Sequence, residues 1–155
     1  IRRPPRSTLF PNTTLFRSDM LLGGDCEEKV EEALAPVLLA KGIHVDVYKV
    51  HHHGSETSSS AEFLKAVMPE ISICSTGHAA SYQHPRKQSY DRIYQYTRSF
   101  IFQTNLGYSG PLSYCEPPAE YGLLARGNVT ICYGGGPSYI VKTRDGEYFY
   151  KTDGN

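Results

Sequence analysis

Short apolar runs alternate with amphipathic stretches along residues 20–103, and that alternation restricts the fold more than any other feature of the chain. The apolar runs are 20–22, 43–50, 71–75 and 100–103. Between the first two, Val30, Leu34, Val37 and Leu38 recur at helical spacing, which predicts a helix over 26–41 with those residues inward. Glu27, Glu28, Glu31 and Glu32 crowd its first turns, where acids complement the helix dipole. Gly42 suits the left-handed position just past its end. In 43–50, Ile43, Val45 and Val47 alternate with His44, Asp46 and Tyr48, the period of a strand. A second helix is expected from about Ser59, with Glu62 three residues on as a capping box. Phe63, Leu64, Val67 and Met68 form its apolar face, and Pro69 ends it. Tyr90, Ile93, Tyr94 and Thr97 mark a third helix.

The pattern changes after 103. Residues 104–127 are rich in Gly, Pro and Tyr, have no period, and read as a long loop or insertion. Segments 128–133, 138–143 and 147–151 read as antiparallel strands, with Gly134-Gly135-Gly136-Pro137 and Asp145-Gly146 as turns. There is no internal repeat. The whole predicts an α/β domain built in layers.

Residues 1–18, IRRPPRSTLFPNTTLFRS, stand apart. They resemble the translation of a common short-read sequencing adapter, with Asn12 in place of tyrosine as the single mismatch. A basic, Pro-rich transit peptide is the other reading of Arg2, Arg3 and Arg6. The adapter match is the more specific, so the segment is treated as an unstructured artefact and 19–155 as the protein. The chain has 16 basic and 16 acidic residues. Setting aside Arg2, Arg3, Arg6 and Arg17 leaves 12 basic against the 16 acidic, a net charge of −4. That balance disfavours a generic polyanion-binding surface, which needs clustered Lys and Arg. No apolar run is long enough to cross a membrane. Cys26, Cys74, Cys115 and Cys132 show no C-x-x-C spacing and read as free thiols.

Chemistry concentrates at three places. The first is Asp25, after the apolar run Leu21-Leu22-Gly23-Gly24. Its structural reading is the N-cap of the following helix, paired with Glu28. The second is the tract His51-His52-His53-Gly54-Ser55 at a strand end, where imidazoles suit a borderline-soft divalent metal such as zinc. Adjacent strand residues face opposite ways, so His52 and His53 project alike only if the strand has already ended. Gly54 permits the tight turn. The third is His84 in Tyr82-Gln83-His84-Pro85, which by itself reads as part of a turn. His78 and His44 read as structural or surface residues.

These runs resemble the second half of a metallo-β-lactamase-fold hydrolase, specifically its ComEC-like branch, whose founding members carry the domain on a DNA-uptake channel. Leu21-Leu22-Gly23-Gly24-Asp25 resembles the branch's Leu-Leu-x-Gly-Asp, whose acid bridges two metals. Lys49-Val50-His51-His52-His53-Gly54-Ser55 resembles its strand ending in His-His-Gly-Ser, with His51 replacing a small residue. Ser75-Thr76-Gly77 leading into Tyr82-Gln83-His84-Pro85 resembles Ser-x-Gly followed by Tyr-Gly-His-Pro. Gln83 stands where glycine is usual, and Ala80 where asparagine is common. The resemblance implies Asp25, His52 and His53 as metal ligands, with His52 favoured over His53 by position. It implies His84 as a general acid or phosphate-orienting group, with Tyr82 a weaker candidate on the same rim.

The family's His-x-His-x-Asp-His run has no counterpart here. The resemblance therefore implies the C-terminal half of a four-layer αββα sandwich. Its parent would be a dinuclear zinc hydrolase, with manganese as an alternative metal, acting on a phosphodiester or another small anionic substrate. This truncated chain is expected to be inactive. The alternative is a non-catalytic binding or scaffold domain that keeps a metal-site relic. The resemblance would put the parent at the bacterial cell surface or outside it, with membrane attachment only through upstream sequence.

Overall fold

The computed structural model describes residues 19–78, 81–134 and 138–151. The adapter-like 1–18, Ala80 and the Gly135-Gly136-Pro137 part of one turn lie outside them. Strands β1 (Met20–Leu22), β2 (Val47–Lys49), β3 (Ile71–Cys74), β4 (Phe100–Gln103) and β5 (Gly122–Leu124) form one sheet in that spatial order. All its pairings are parallel. Helices α1 (Glu28–Ala40), α2 (Ala61–Val67) and α3 (Lys87–Thr97) connect the first four strands. Strands β6 (Thr130–Tyr133), β7 (Ser138–Lys142) and β8 (Glu147–Lys151) form a separate antiparallel sheet.

Strand alternation sorts the side chains into two cores. Leu21, Tyr48, Cys74 and Ile101 point to the helices and pack with Ala35 and Leu38 of α1, Phe63, Leu64 and Val67 of α2, and Tyr90 and Ile93 of α3. Val47, Ile71 and Phe102 point the other way and meet Tyr139 and Val141 of the second sheet. The described residues thus make three layers, helices on sheet on sheet. No helix among them is long and apolar enough to cross a membrane.

Several expectations need correction. Segment 104–127 is not wholly a loop: it contains β5, paired with β4 through Ile101 and Gly122. The strand within 43–50 is only Val47–Lys49, and Val45, Asp46, Val47 and Tyr48 are all buried. A central parallel strand is covered on both faces, so its polarity does not alternate. In α1 the buried positions are Glu31, Ala35 and Leu38, whereas Val30 and Val37 are about half exposed at 52% and 46%. Asp25 does not cap α1; the N-cap is Glu27, with no side-chain cap. Likewise Ser60, not Ser59, is the N-cap of α2, without a side-chain cap, and Met68 is exposed past its end.

Candidate functional site

Parallel pairing brings the carboxyl ends of β1, β2 and β3 to one edge of the sheet, where crevices form in open α/β folds. Each of the three loops leaving that edge carries candidate residues. Asp25 follows β1, His52 and His53 follow β2, and Tyr82 and His84 follow β3. Together with Thr76 and Gly77 they line one cavity of about 410 Å³.

The histidine tract has left the strand before it reaches the site. Residues His51–Gly54 form a tight helical turn, in which His52 (φ 45°) and His53 (φ 53°) take the left-handed conformation. Both rings therefore reach the cavity, which strand alternation would forbid. Gly54 (φ 78°) completes the turn, and a Cβ there would meet the Pro85 Cβ at 2.8 Å. The loops are tied together by backbone bonds: His52 N–H donates to the Gly24 carbonyl (3.0 Å) and Arg86 N–H to that of Gly54 (2.8 Å). Gln83 (φ 55°) occupies the left-handed region that favours glycine. It is braced there, since its Oε1 accepts from Arg86 Nη1 at 2.9 Å and its carbonyl from Ser113 Oγ.

The cavity brings imidazole nitrogens and carboxylate oxygens close together. His53 Nδ1 lies 2.8 Å from the Ser75 carbonyl. A carbonyl only accepts, so Nδ1 carries a proton and Nε2 is the nitrogen turned towards the cavity. That Nε2 stands 3.5 Å from Asp25 Oδ1. His52 Nδ1 is 3.1 Å from Glu27 Oε1, but the atoms are not aligned for a hydrogen bond. His84 Nδ1 is also buried without a partner. The His52 and His84 rings meet edge to face, 5.4 Å apart, and Tyr82 stacks over His84 at 6.0 Å. Burial lowers the His84 pKa below its ordinary value, and His52, His53 and Arg86 push it the same way.

These donors fit zinc in chemical type, being imidazole nitrogen and carboxylate oxygen. They do not fit in number. Among the described residues, no three His, Cys, Asp or Glu side chains are grouped so that they could hold a metal ion. His44 is exposed, and His78 turns away to the Gly107 carbonyl, at 3.4 Å, and the Tyr108 ring, at 5.9 Å.

Two residues behind the cavity escaped the sequence reading. Glu31, read as one of several first-turn acids, is fully buried. It accepts from His51 Nδ1 (2.6 Å), Ser59 N–H (2.7 Å) and Ser60 N–H (2.6 Å). His51, the member of the tract that resembled no family position, is fully buried too. The available signal was a histidine where the resemblance has a small residue, which requires either space or a partner in the core.

Fold and site together define a layered α/β domain with a carboxylate- and imidazole-lined cavity at the carboxyl edge of a parallel sheet. By sequence the chain is partly homologous to the ComEC-related competence proteins. It is 39% identical over 74 residues to Competence protein ComA of Neisseria gonorrhoeae, covering 48% of this chain and 11% of that one. It is 35% identical over 80 residues to Recombination protein 2 of Haemophilus influenzae, 52% of this chain and 10% of the other. ComE operon protein 3 of Bacillus subtilis is 37% identical over 68 residues, 44% and 8% respectively. The chain thus matches about a tenth of the length of these relatives. No protein-family profile matches it, and no solved structure does.

Proposed function

We propose that this chain is part of a metal-dependent hydrolase of phosphodiester substrates, the C-terminal half of an αββα metallo-β-lactamase-like domain. The observation that carries the reading is the His53–Asp25 pair. The two ligand-type atoms, His53 Nε2 and Asp25 Oδ1, stand 3.5 Å apart on the wall of one cavity, where a single cation can bridge them. The similarity to competence proteins, which handle DNA, supports the phosphodiester class. Asp25, His52 and His53 would hold zinc or manganese, completed by ligands from outside this chain. The metal, when bound, supplies Lewis acidity towards a phosphoryl oxygen. His84 and Tyr82 form the substrate side of the cavity. With its pKa lowered, His84 is neutral near pH 7. It therefore orients a phosphate by hydrogen bonding more readily than it protonates a leaving group.

A catalytic zinc commonly takes three protein ligands, and no three such side chains among the described residues are grouped around one position. The chain alone therefore binds zinc weakly and does not turn over substrate. The absence of a three-ligand group among the described residues also favours a second reading, a non-catalytic binding or scaffold domain. Both are tested by titrating zinc and manganese calorimetrically and assaying phosphodiester hydrolysis, on this chain and on a longer polypeptide containing the same sequence. The hydrolase reading expects weak zinc binding by the chain that His53→Ala abolishes. It also expects turnover only in the longer protein, lost in Asp25→Asn. Zinc binding unaffected by His53→Ala would overturn the metal assignment. Inactivity of a metal-loaded longer protein across several phosphodiesters would establish the scaffold reading instead.

A further inference from the structure

We propose that Glu31 and His51 are the positioning residues of this site, a buried pair that holds its two ligand-bearing loops in register from behind. The functional consequence rests on the metal-site reading; the structural claim does not. Neither residue lines the cavity, so each acts through its neighbours.

Glu31 joins three segments. It sits on α1, and its carboxylate gathers the His51 ring and the backbone N–H groups of Ser59 and Ser60. These lie on the histidine turn and at the entry to α2. His51 is held from every side. Its N–H donates to Tyr48 Oη at 3.0 Å, and its carbonyl accepts from Ser58 Oγ at 2.8 Å. Its ring stands edge-on to Tyr48 at 4.9 Å and tilted against Phe63 at 5.0 Å. The far end of the ring abuts the Asp25 loop: a Cβ on Gly23 would come within 2.1 Å of His51 Nε2. One residue on, His52 N–H bonds the Gly24 carbonyl. The imidazole is therefore wedged between the loop that carries Asp25 and the turn that carries His52 and His53.

Two physical arguments make this positioning rather than packing. Consecutive non-glycine residues at positive φ persist only where their surroundings over-determine them. The surroundings of His52 and His53 include this pair. Burying a carboxylate against an imidazole is also a poor route to stability compared with apolar residues of the same volume. What such a pair supplies is orientation, as hydrogen-bonded partners of ligands do at metal sites. His51 Nε2 is buried with no hydrogen-bond partner, so half of the ring's polar capacity is left unmet while Nδ1 holds Glu31.

The test uses the metal-free chain and its Glu31→Gln, His51→Leu and His51→Asn variants. Long-range proton–nitrogen spectra of the imidazoles report the His53 tautomer, and calorimetry reports zinc binding. Wild type should show His53 as the single Nδ1–H tautomer that its bond to Ser75 requires. Glu31→Gln and His51→Leu, folded by circular dichroism, should mix the tautomers and weaken zinc binding at least tenfold. His51→Asn places an amide N–H where Nδ1 was and should recover both properties. Gly23→Ala, which presses on the ring without removing the pair, should disturb His53 in the same way and serves if the core variants do not fold. Folded variants with an unchanged His53 spectrum would overturn the proposal. If wild type binds no zinc, the metal reading fails, while the spectra still decide the positioning claim.

Discussion

Glu31 carries a consequence for acid stability whose sign follows from its surroundings. Burial by itself would raise its pKa, but the His51 ring and the Ser60 and Ser59 N–H groups outweigh burial and hold it below its ordinary 4.5. A carboxylate with a depressed folded pKa stabilises the native state above its unfolded pKa, and that stability is lost as pH falls through the folded value. Removing one member of a buried pair typically costs about 3–5 kcal/mol. Glu31→Gln should therefore be less stable than wild type by that order at neutral pH, measured by urea unfolding. The gap should narrow progressively below pH 4.5; a gap independent of pH would show that the ionised carboxylate is not what matters. At this scale the gathering of Asp25, His52, His53 and His84 around one cavity was legible through the resemblance, for by local pattern alone Asp25 reads as a helix cap and His84 as part of a turn. Glu31 was not. Helical spacing puts it on one face with Ala35 and Leu38, but the groups that let an acid be buried there, His51, Ser59 and Ser60, are 20 to 29 residues away. The left-handed turn was equally hidden, since histidine does not advertise positive φ as glycine does.

At the scale of elements, β1, β4 and β8 stand where their apolar periods place them. The parallel β5 shows what defeats such reading. Gly122-Leu123-Leu124 is too short to show a period, and it sits in a segment of Gly, Pro and Tyr. It is a strand because β4 offers it a partner: Ile101 N–H donates to the Tyr121 carbonyl at 2.8 Å, and Ala125 N–H to that of Gln103 at 2.7 Å. Gly122 is the point of closest approach, for a Cβ there would fall 1.9 Å from the Ile101 carbonyl oxygen. Backbone cannot swing aside as a side chain can. Gly122→Ala should cost at least the 1–3 kcal/mol roughly typical of overpacking, seen as a lower urea midpoint and faster proteolysis of 104–121. Gly146→Ala, whose Cβ would meet nothing nearer than 3.7 Å, is the matched control and should be nearly neutral. Equal effects from the two would mean that β5 is not held against β4 in solution.

Over the whole molecule, the layers leave apolar surface uncovered. The second sheet covers the face formed by Val47, Ile71 and Phe102. It does not extend over β1, where Met20 and Leu22, on that same face, are 47% and 69% exposed. Its own outer face carries a row across all three strands, Cys132 opposite Ile140 and Ile140 opposite Phe149. Phe149 is the most exposed large apolar residue described, at 74%. β-type edges and apolar rows of this kind promote association between copies. The alternation of β8 explains why the exposure concentrates there: Tyr148 and Tyr150 turn inward to Phe102, at 5.2 Å and 6.3 Å, leaving Phe149 outward. Phe149→Lys should therefore reduce concentration-dependent light scattering. It should change unfolding free energy by no more than about 1 kcal/mol, the span of strand propensities. Leu22→Lys separates the two surfaces. Scattering that survives Phe149→Lys but falls in Leu22→Lys would move the sticky surface to the β1 edge, and scattering unchanged in both would exclude these apolar residues as its cause.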